Sequence, residues 1–409
     1  MGHVSPISLL AADAEGIPRL LVEFGALLVG LGILARISAR FGLSPVPLFL
    51  IAGLAFGDGG AIPLGVDEEF VEVAAQIGAV LLLLLLGLEY SGDELVGTVR
   101  QQWWAGLVDV VLNSLPGLIC GFLLGWGLLG AVALGGITYI SSSGIVAQVV
   151  KDLKWRRKPE VPGVIGLLIV EDIVMAPYLP IVTAMATGAG LAAGLISVSI
   201  ALGVVAAVVL LSLHRLKFAN ALLNADKPVA LLLTLFGTAL LVAGLAELAG
   251  FSAAVAAFLV GLLFTDEVAE VARQRLAPLR DLFAAVFFVF FGLTTDPADI
   301  PPVLPVAAAL AVAGIATKLI TGWIVARRAE ASPRGHWRAG TLLIARGEFS
   351  VLIAGIVATA PFAPAMLIPL ATTYVLITAI AGPLLSRVAE PWSNFIERRR
   401  LQRAELALD

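Results

Sequence analysis

The chain has 409 residues, of which 59% are hydrophobic and 14% charged, with a mean hydropathy of +1.00 and a formal net charge of -4. A soluble domain is about a quarter charged, so water is excluded as the main solvent, and the weakly acidic balance gives no footprint for nucleic acid. The single cysteine, Cys120, excludes a disulfide within the chain and a cysteine metal cluster.

The opening segment MGHVSPISLLAADAEGIPR lacks the basic start and small-residue cleavage site of a secretory signal, so no leader is expected to be removed. Apolar runs then recur along the chain, most of them long enough to cross a hydrocarbon core of about 30 Å as helices. They predict about thirteen spans, near 20–38, 43–57, 70–89, 103–126, 128–150, 161–186, 190–213, 229–249, 251–265, 281–294, 303–326, 338–359 and 363–387. The second, ninth and tenth are short.

This count is tested by the positive-inside rule, because basic residues gather in alternate loops only when the number of crossings is right. Of the 26 basic residues, Lys318 and Arg346 fall within spans and Arg19 at the N-terminal end; the others all fall on one side. Intervening loops such as DGGAIPLGVDEE and TTDPADIPP contain none. The N-terminus is therefore expected outside and the C-terminus in the cytoplasm, in a cell (inner) membrane.

Thirteen spans divide into a first repeat of about 20–186, a linker helix of about 190–213 and a second repeat of about 229–387. The two sets of six have opposite orientation, the arrangement of an inverted-repeat transporter. Residues 1–388 would form one transmembrane transport domain, followed by a short cytoplasmic tail over 389–409. No Walker loop is present and the three histidines lie outside the apolar cores. No bound cofactor is expected.

A charge in the middle of a membrane helix costs about 2.5–3.5 kcal/mol on insertion scales, so each one needs a partner or a purpose. Glu171 and Asp172, in VIGLLIVEDIVMAPYLPI, fall near the midplane of the sixth span, Lys318 at comparable depth in the eleventh, and Arg346 and Glu348 in the twelfth. Adjacent helical residues point about 100° apart, so the two acids have different partners. One would pair with Lys318, leaving the other to face a water-filled cavity and trade a proton for a cation. The bland alternative is that all are ion-paired glue between helices.

A cation at midplane also needs oxygen ligands, which an unwound helix supplies. ITYISSSGIVAQ places Ser141, Ser142, Ser143 and Gly144 at the centre of the fifth span, and the twelfth span is interrupted in the matching position by Arg346, Gly347, Glu348 and Ser350. Crossed broken helices are expected there, with Arg346 and Glu348 stabilising the second break; serines bonded within an unbroken helix are the alternative. Elsewhere, Gly117, Gly121 and Gly125 read as a close-packing face. Asp109 and Asn113, at i and i+4, could line the cavity.

At these residues the sequence resembles the monovalent cation/proton antiporter superfamily, in particular its Kef-type potassium/proton branch. The resemblance rests on LLLLLLGLEYSGDEL (81–95), ISSSGIVAQVVKDL (140–153), LLIVEDIVMAPYLPI (167–181), FFVFFGLTTD (287–296), TKLITGW (317–323) and ARGEFSVLIAGI (345–356). It implies an all-α polytopic protein that works as a homodimer by an elevator motion, with no enzyme activity, and with Asp172 as the shared cation and proton site. It also implies a membrane subunit without a fused nucleotide-binding domain, served by a separately encoded cytoplasmic regulatory subunit or by none. An acid at the position of Glu171 departs from the commonest patterns of relatives and resembles sodium-selective ones, where it pairs with the lysine matched by Lys318. The expected activity is exchange of a monovalent cation, potassium first, for protons, with Ser142 and Ser143 completing the shell of the transported ion at Asp172. A sodium/proton antiporter and a cation channel of the same architecture are the alternatives.

Overall fold

In the computed structural model of the chain, the described residues are 6–41, 45–57, 60, 68–89, 92–187, 199, 203, 228–248, 253–264 and 266–405. Among them the regular structure is entirely helical: α1 (Pro6–Phe41), α2 (Val46–Phe56), α3 (Glu68–Glu89), α4 (Gly92–Leu123), α5 (Gly127–Tyr139), α6 (Ser143–Asp152) and α7 (Val161–Ala186) in the first half. The second half contains α8 (Pro228–Leu248), α9 (Ala253–Leu262), α10 (Asp266–Leu293), a 3-10 turn (Pro297–Asp299), α11 (Ile300–Arg328), α12 (Pro333–Leu342), α13 (Glu348–Ala358) and α14 (Leu367–Glu405). Hydrocarbon offers the backbone no hydrogen-bond partner, so an apolar span must satisfy its amides internally, and the α-helix does so within one segment. Among the described residues eight stretches are long and apolar enough to cross a membrane, and α2, α3 and α13 add shorter apolar helices. The expected linker helix at 190–213 lies outside the described residues apart from positions 199 and 203.

Most expected spans are found within a few residues of their predicted bounds, but α1 and α4 start well before them, at Pro6 and Gly92, and α10 and α14 also run past theirs. The fifth and twelfth spans are each split in two, as α5 with α6 and α12 with α13, which are the two breaks expected from the sequence. Helix α10 starts at Asp266 rather than near 281, because its first half is amphipathic (DEVAEVARQRLAPLR) and an apolar window passes over it. Helix α14 runs on through Glu405, while its apolar stretch ends at Val388, so the segment expected as a tail over 389–409 is helical over most of its length.

The helices form two groups. In one, α2, α3, α8, α9 and α10 pack together; in the other, α4, α5, α7 and α11 to α14 do. Within the first group, bare backbones touch at two glycine pairs. A Cβ on Gly53 of α2 would lie 2.2 Å from the Val289 carbonyl oxygen and 2.6 Å from Gly292 Cα of α10, and one on Gly292 would lie 2.4 Å from the Leu50 oxygen. In the same way a Cβ on Gly87 of α3 would lie 2.2 Å from the Phe258 oxygen of α9, and one on Gly261 2.4 Å from the Leu84 oxygen. In each case the opposing carbonyl belongs to the residue three before the partner glycine. Helices α2 and α9 share the pattern Gly-Leu-x-Phe at these points, and α3 and α10 share Gly-Leu. The contact of span two with span ten is thus repeated as that of span nine with span three, the relation an inverted repeat requires.

In the second group the GxxxG face behaves as expected, since a Cβ on Gly117 or Gly121 would meet the α5 backbone at 2.1 Å (Leu134 O) and 2.4 Å (Ala131 Cα). Gly125 does not extend this face; it sits past the end of α4 at φ 72°, where the chain turns into α5. At the other end of the group, Arg338 of α12 donates to Glu160 at the start of α7 (2.5 Å) and lies over the Trp155 ring (5.7 Å), tying the two halves of the group together.

Candidate ion-binding site

The site is built on two chain breaks that satisfy each other. Between α5 and α6 the backbone is extended at Ile140 (φ -72°, ψ 131°) and Ser142 (φ -89°, ψ 107°); between α12 and α13 it is extended at Gly347 (φ -161°, ψ -133°). Each break leaves amides and carbonyls without helical partners, which must be met elsewhere when buried. Here they meet across the crossing: the Ser142 amide donates to the Ala345 carbonyl (2.8 Å), the Ser141 hydroxyl lies 3.0 Å from the Leu343 carbonyl, and the Ser350 hydroxyl donates to the Ile137 carbonyl (2.9 Å). Gly347 is required by proximity, because a Cβ there would lie 2.6 Å from Ser142 Oγ.

Arg346 occupies the crossing itself, fully buried. Its guanidinium donates to the Thr138 carbonyl (2.7 and 3.1 Å) and to the Leu343 and Ile344 carbonyls (2.9 Å each). These are the exposed carbonyl ends of α5 and α12, where the helix dipoles are negative. One planar fork therefore serves both breaks, where the sequence assigned Arg346 to the second only. Glu348 begins α13 and accepts from the Ser142 hydroxyl (3.1 Å), and Ser142 in turn caps α6 through the Ile145 amide (3.4 Å).

Lys318 of α11 is fully buried with a carboxylate on either side. Its Nζ lies 2.9 Å from Glu171 Oε1, and 2.9 and 3.0 Å from the two carboxylate oxygens of Asp109. Glu171 is also held by the Ser141 amide (2.5 Å), which links this cluster to the first break. Asp109 accepts from Asn113 (2.8 Å), and Asn113 accepts from the Thr317 hydroxyl (2.7 Å), so α4 and α11 are joined by a continuous polar network. The sequence pairs Glu171 with Lys318, and the structure brings them together. It missed that Asp109 takes the other side. The signal was present, since Asp109 is a carboxylate within an apolar run with an amide one turn on.

Asp172, the neighbour of Glu171 on α7, is 4% exposed. A cavity of about 730 Å³ runs between the two helix groups, lined on one side by α1, α2, α3 and α10 and on the other by α6 and the start of α13. Ser142, Ser143 and Glu348 line it, and Asp172 is not among the lining residues.

Comparison with known proteins gives the family and the fold. The transmembrane sodium/hydrogen exchanger family matches residues 24–390. The potassium/proton antiporter subunit KhtU of Bacillus subtilis is 31% identical over 379 residues, 90% of this chain and 93% of that protein. The ammonium/proton antiporter subunit AmhT of Alkalihalophilus pseudofirmus is 28% identical over 91% of this chain and 94% of its own length. The glutathione-regulated potassium-efflux protein KefC of Salmonella typhi is 30% identical over 79% of this chain, which spans 53% of that protein. The sodium/proton antiporter MjNhaP1 of Methanocaldococcus jannaschii has the same fold, with a TM-score of 0.63 at 18% identity over 91% of this chain.

Proposed function

The chain belongs to the sodium/hydrogen exchanger family of membrane cation/proton antiporters, and from that premise we propose that it exchanges potassium for protons. It is a multi-pass membrane transporter, not an enzyme. The observation that carries the reading is the cluster of buried acids at the crossing: Asp109 and Glu171 share Lys318, Asp172 follows Glu171 on α7, and Arg346 is the second buried cation. Lys318 and two of these carboxylates hold one another. Three buried carboxylates outnumber the two cations Lys318 and Arg346, and the charge balance of such a place is completed in this reading by a proton or a transported cation.

In this reading Asp172 binds the proton or the cation, and Ser142 and Ser143 with the carbonyls of the break complete the cation's shell. Exchange follows because one carboxylate does not hold both at once, and the empty charged site is costly to move through hydrocarbon. The group containing α4 to α7 and α11 to α14 would carry the site across as an elevator, against a fixed group built on α2, α3 and α8 to α10. The close glycine contacts within the latter support its rigidity.

Potassium is preferred over sodium because the relatives KhtU and KefC are named for potassium. KhtU and AmhT are each named as a subunit, which supports a separately encoded cytoplasmic partner for this chain. The one-sided distribution of its basic loops supports an N-terminus outside and a C-terminus in the cytoplasm, in the inner membrane, and the homodimer follows from the family resemblance alone. The test is transport in proteoliposomes with potassium, sodium and ammonium compared under a clamped membrane potential. Cation-driven proton movement with potassium most effective is expected. Cation current without proton coupling would replace the antiporter by a channel.

A further inference from the structure

The cavity ends on a carboxylate that the reading above does not use for the ion. Its charged lining residues are Lys151, Arg280, Asp281 and Glu348. Lys151 and Arg280 belong to the basic clusters read as cytoplasmic, so the cavity opens to that side. Asp281 is engaged with Arg280 at 2.8 Å near the mouth. Without Glu348 the lining would carry two cations against one carboxylate, an excess of positive charge. The floor is also positive on its own account, because the N-termini of α6 and α13 both begin there, with Ser142 capping one and Glu348 starting the other. A cation entering from the cytoplasm meets a repulsive funnel unless a negative charge stands at its end.

Glu348 is that charge. It is half-buried, lies at the wall of the cavity, and shares a hydrogen bond of 3.1 Å with Ser142, the residue at the crossing. We propose that Glu348, with the hydroxyls of Ser142 and Ser143, forms a loading site for a partly hydrated monovalent cation on the cytoplasmic approach to Asp172. The inference rests on the antiport reading and adds a second binding position to it, used from one side only. A cation held there keeps water on its cavity face while exchanging part of its shell for a carboxylate and hydroxyls. From there it passes the Ser142 break to Asp172, and Glu348 is then screened from the opposite side of the membrane.

The sidedness gives the test. Exchange is measured in inside-out and right-side-out vesicles, and half-saturating potassium is compared for the wild type, Glu348→Gln and Glu348→Asp. Loss of the charge should raise half-saturation from the cytoplasmic side about tenfold, equivalent to about 1.4 kcal/mol, with no matching rise from the other side, and Glu348→Asp should restore most of it. An equal rise on both sides would mean that Glu348 only supports α13, and an unchanged value on both would remove it from the path; either overturns the proposal. In the wild type, thallium(I) density at the Glu348 carboxylate is expected at the floor of the cavity, and a floor without it counts against the site. No exchange in wild-type vesicles defeats the antiport reading itself, which the variants alone leave standing.

Discussion

Lys318 is gripped by Asp109 more closely than by Glu171: both carboxylate oxygens of Asp109 lie within 3.0 Å of its Nζ, against one oxygen of Glu171 at 2.9 Å. Three contacts match the three donors of an ammonium. Asp109 therefore holds Lys318 in place whether or not Glu171 stays on it. Removing one member of a buried ion pair costs about 3–5 kcal/mol, because the partner's charge is left uncompensated. Lys318→Met abandons two carboxylates and should sharply lower the unfolding temperature in detergent. Asp109→Asn leaves Glu171 to balance the lysine and should cost less. If the two variants melt alike, the shared-lysine arrangement is wrong.

Asp172→Asn tests the carrier directly. The substitution keeps the size of the side chain and leaves the Asp109, Glu171 and Lys318 contacts in place, so the fold is expected to survive. Cation-driven proton movement in vesicles should vanish. Wild-type exchange rates in this variant would move the carrier role to Glu171 or Asp109.

Arg346 offers a different contrast. Its fork reaches the Thr138, Leu343 and Ile344 carbonyls at once, which a lysine's single ammonium cannot reproduce. Arg346→Lys keeps the charge yet should destabilise the protein by about 1.5–3 kcal/mol, the size of a lost charge-assisted hydrogen bond. A melting temperature equal to that of the wild type would show that charge alone holds the crossing.

Much of this was legible in the sequence, for reasons that mark its limits. The charges Glu171, Lys318 and Arg346 stand out because hydrocarbon makes each one expensive, and the serine run beside Gly144 announces a break because no apolar helix needs it. Distances between helices are not written in a single span. Asp109 could be seen as a buried acid, but its hold on Lys318 joins residues 209 apart in the chain. Arg346 was read as local to the twelfth span because the carbonyl it shares, Thr138, belongs to the other repeat. The start of α10 was lost because amphipathic turns such as Glu270 to Arg273 look polar to an apolar window.

The inverted repeat was the least visible feature, since the halves share few residues, yet it rests on positions that permit almost no change. Gly53 and Gly261 occupy equivalent places, each with a carbonyl of the facing helix 2.2–2.4 Å from where a Cβ would sit. Backbone cannot rotate aside as a side chain can, so an added methyl must push two helices apart, at about 1–3 kcal/mol for overpacking. Gly53→Ala and Gly261→Ala should therefore lower the melting temperature by similar amounts, as befits one contact used twice. Both contacts lie within the group proposed to stay fixed, on helices other than those that carry Asp172 and Glu348. The half-saturating cation concentration of whatever protein remains folded should be unchanged, and a large shift in it would mean that the α2–α10 and α3–α9 contacts move during transport, contrary to the division into a fixed and a moving group.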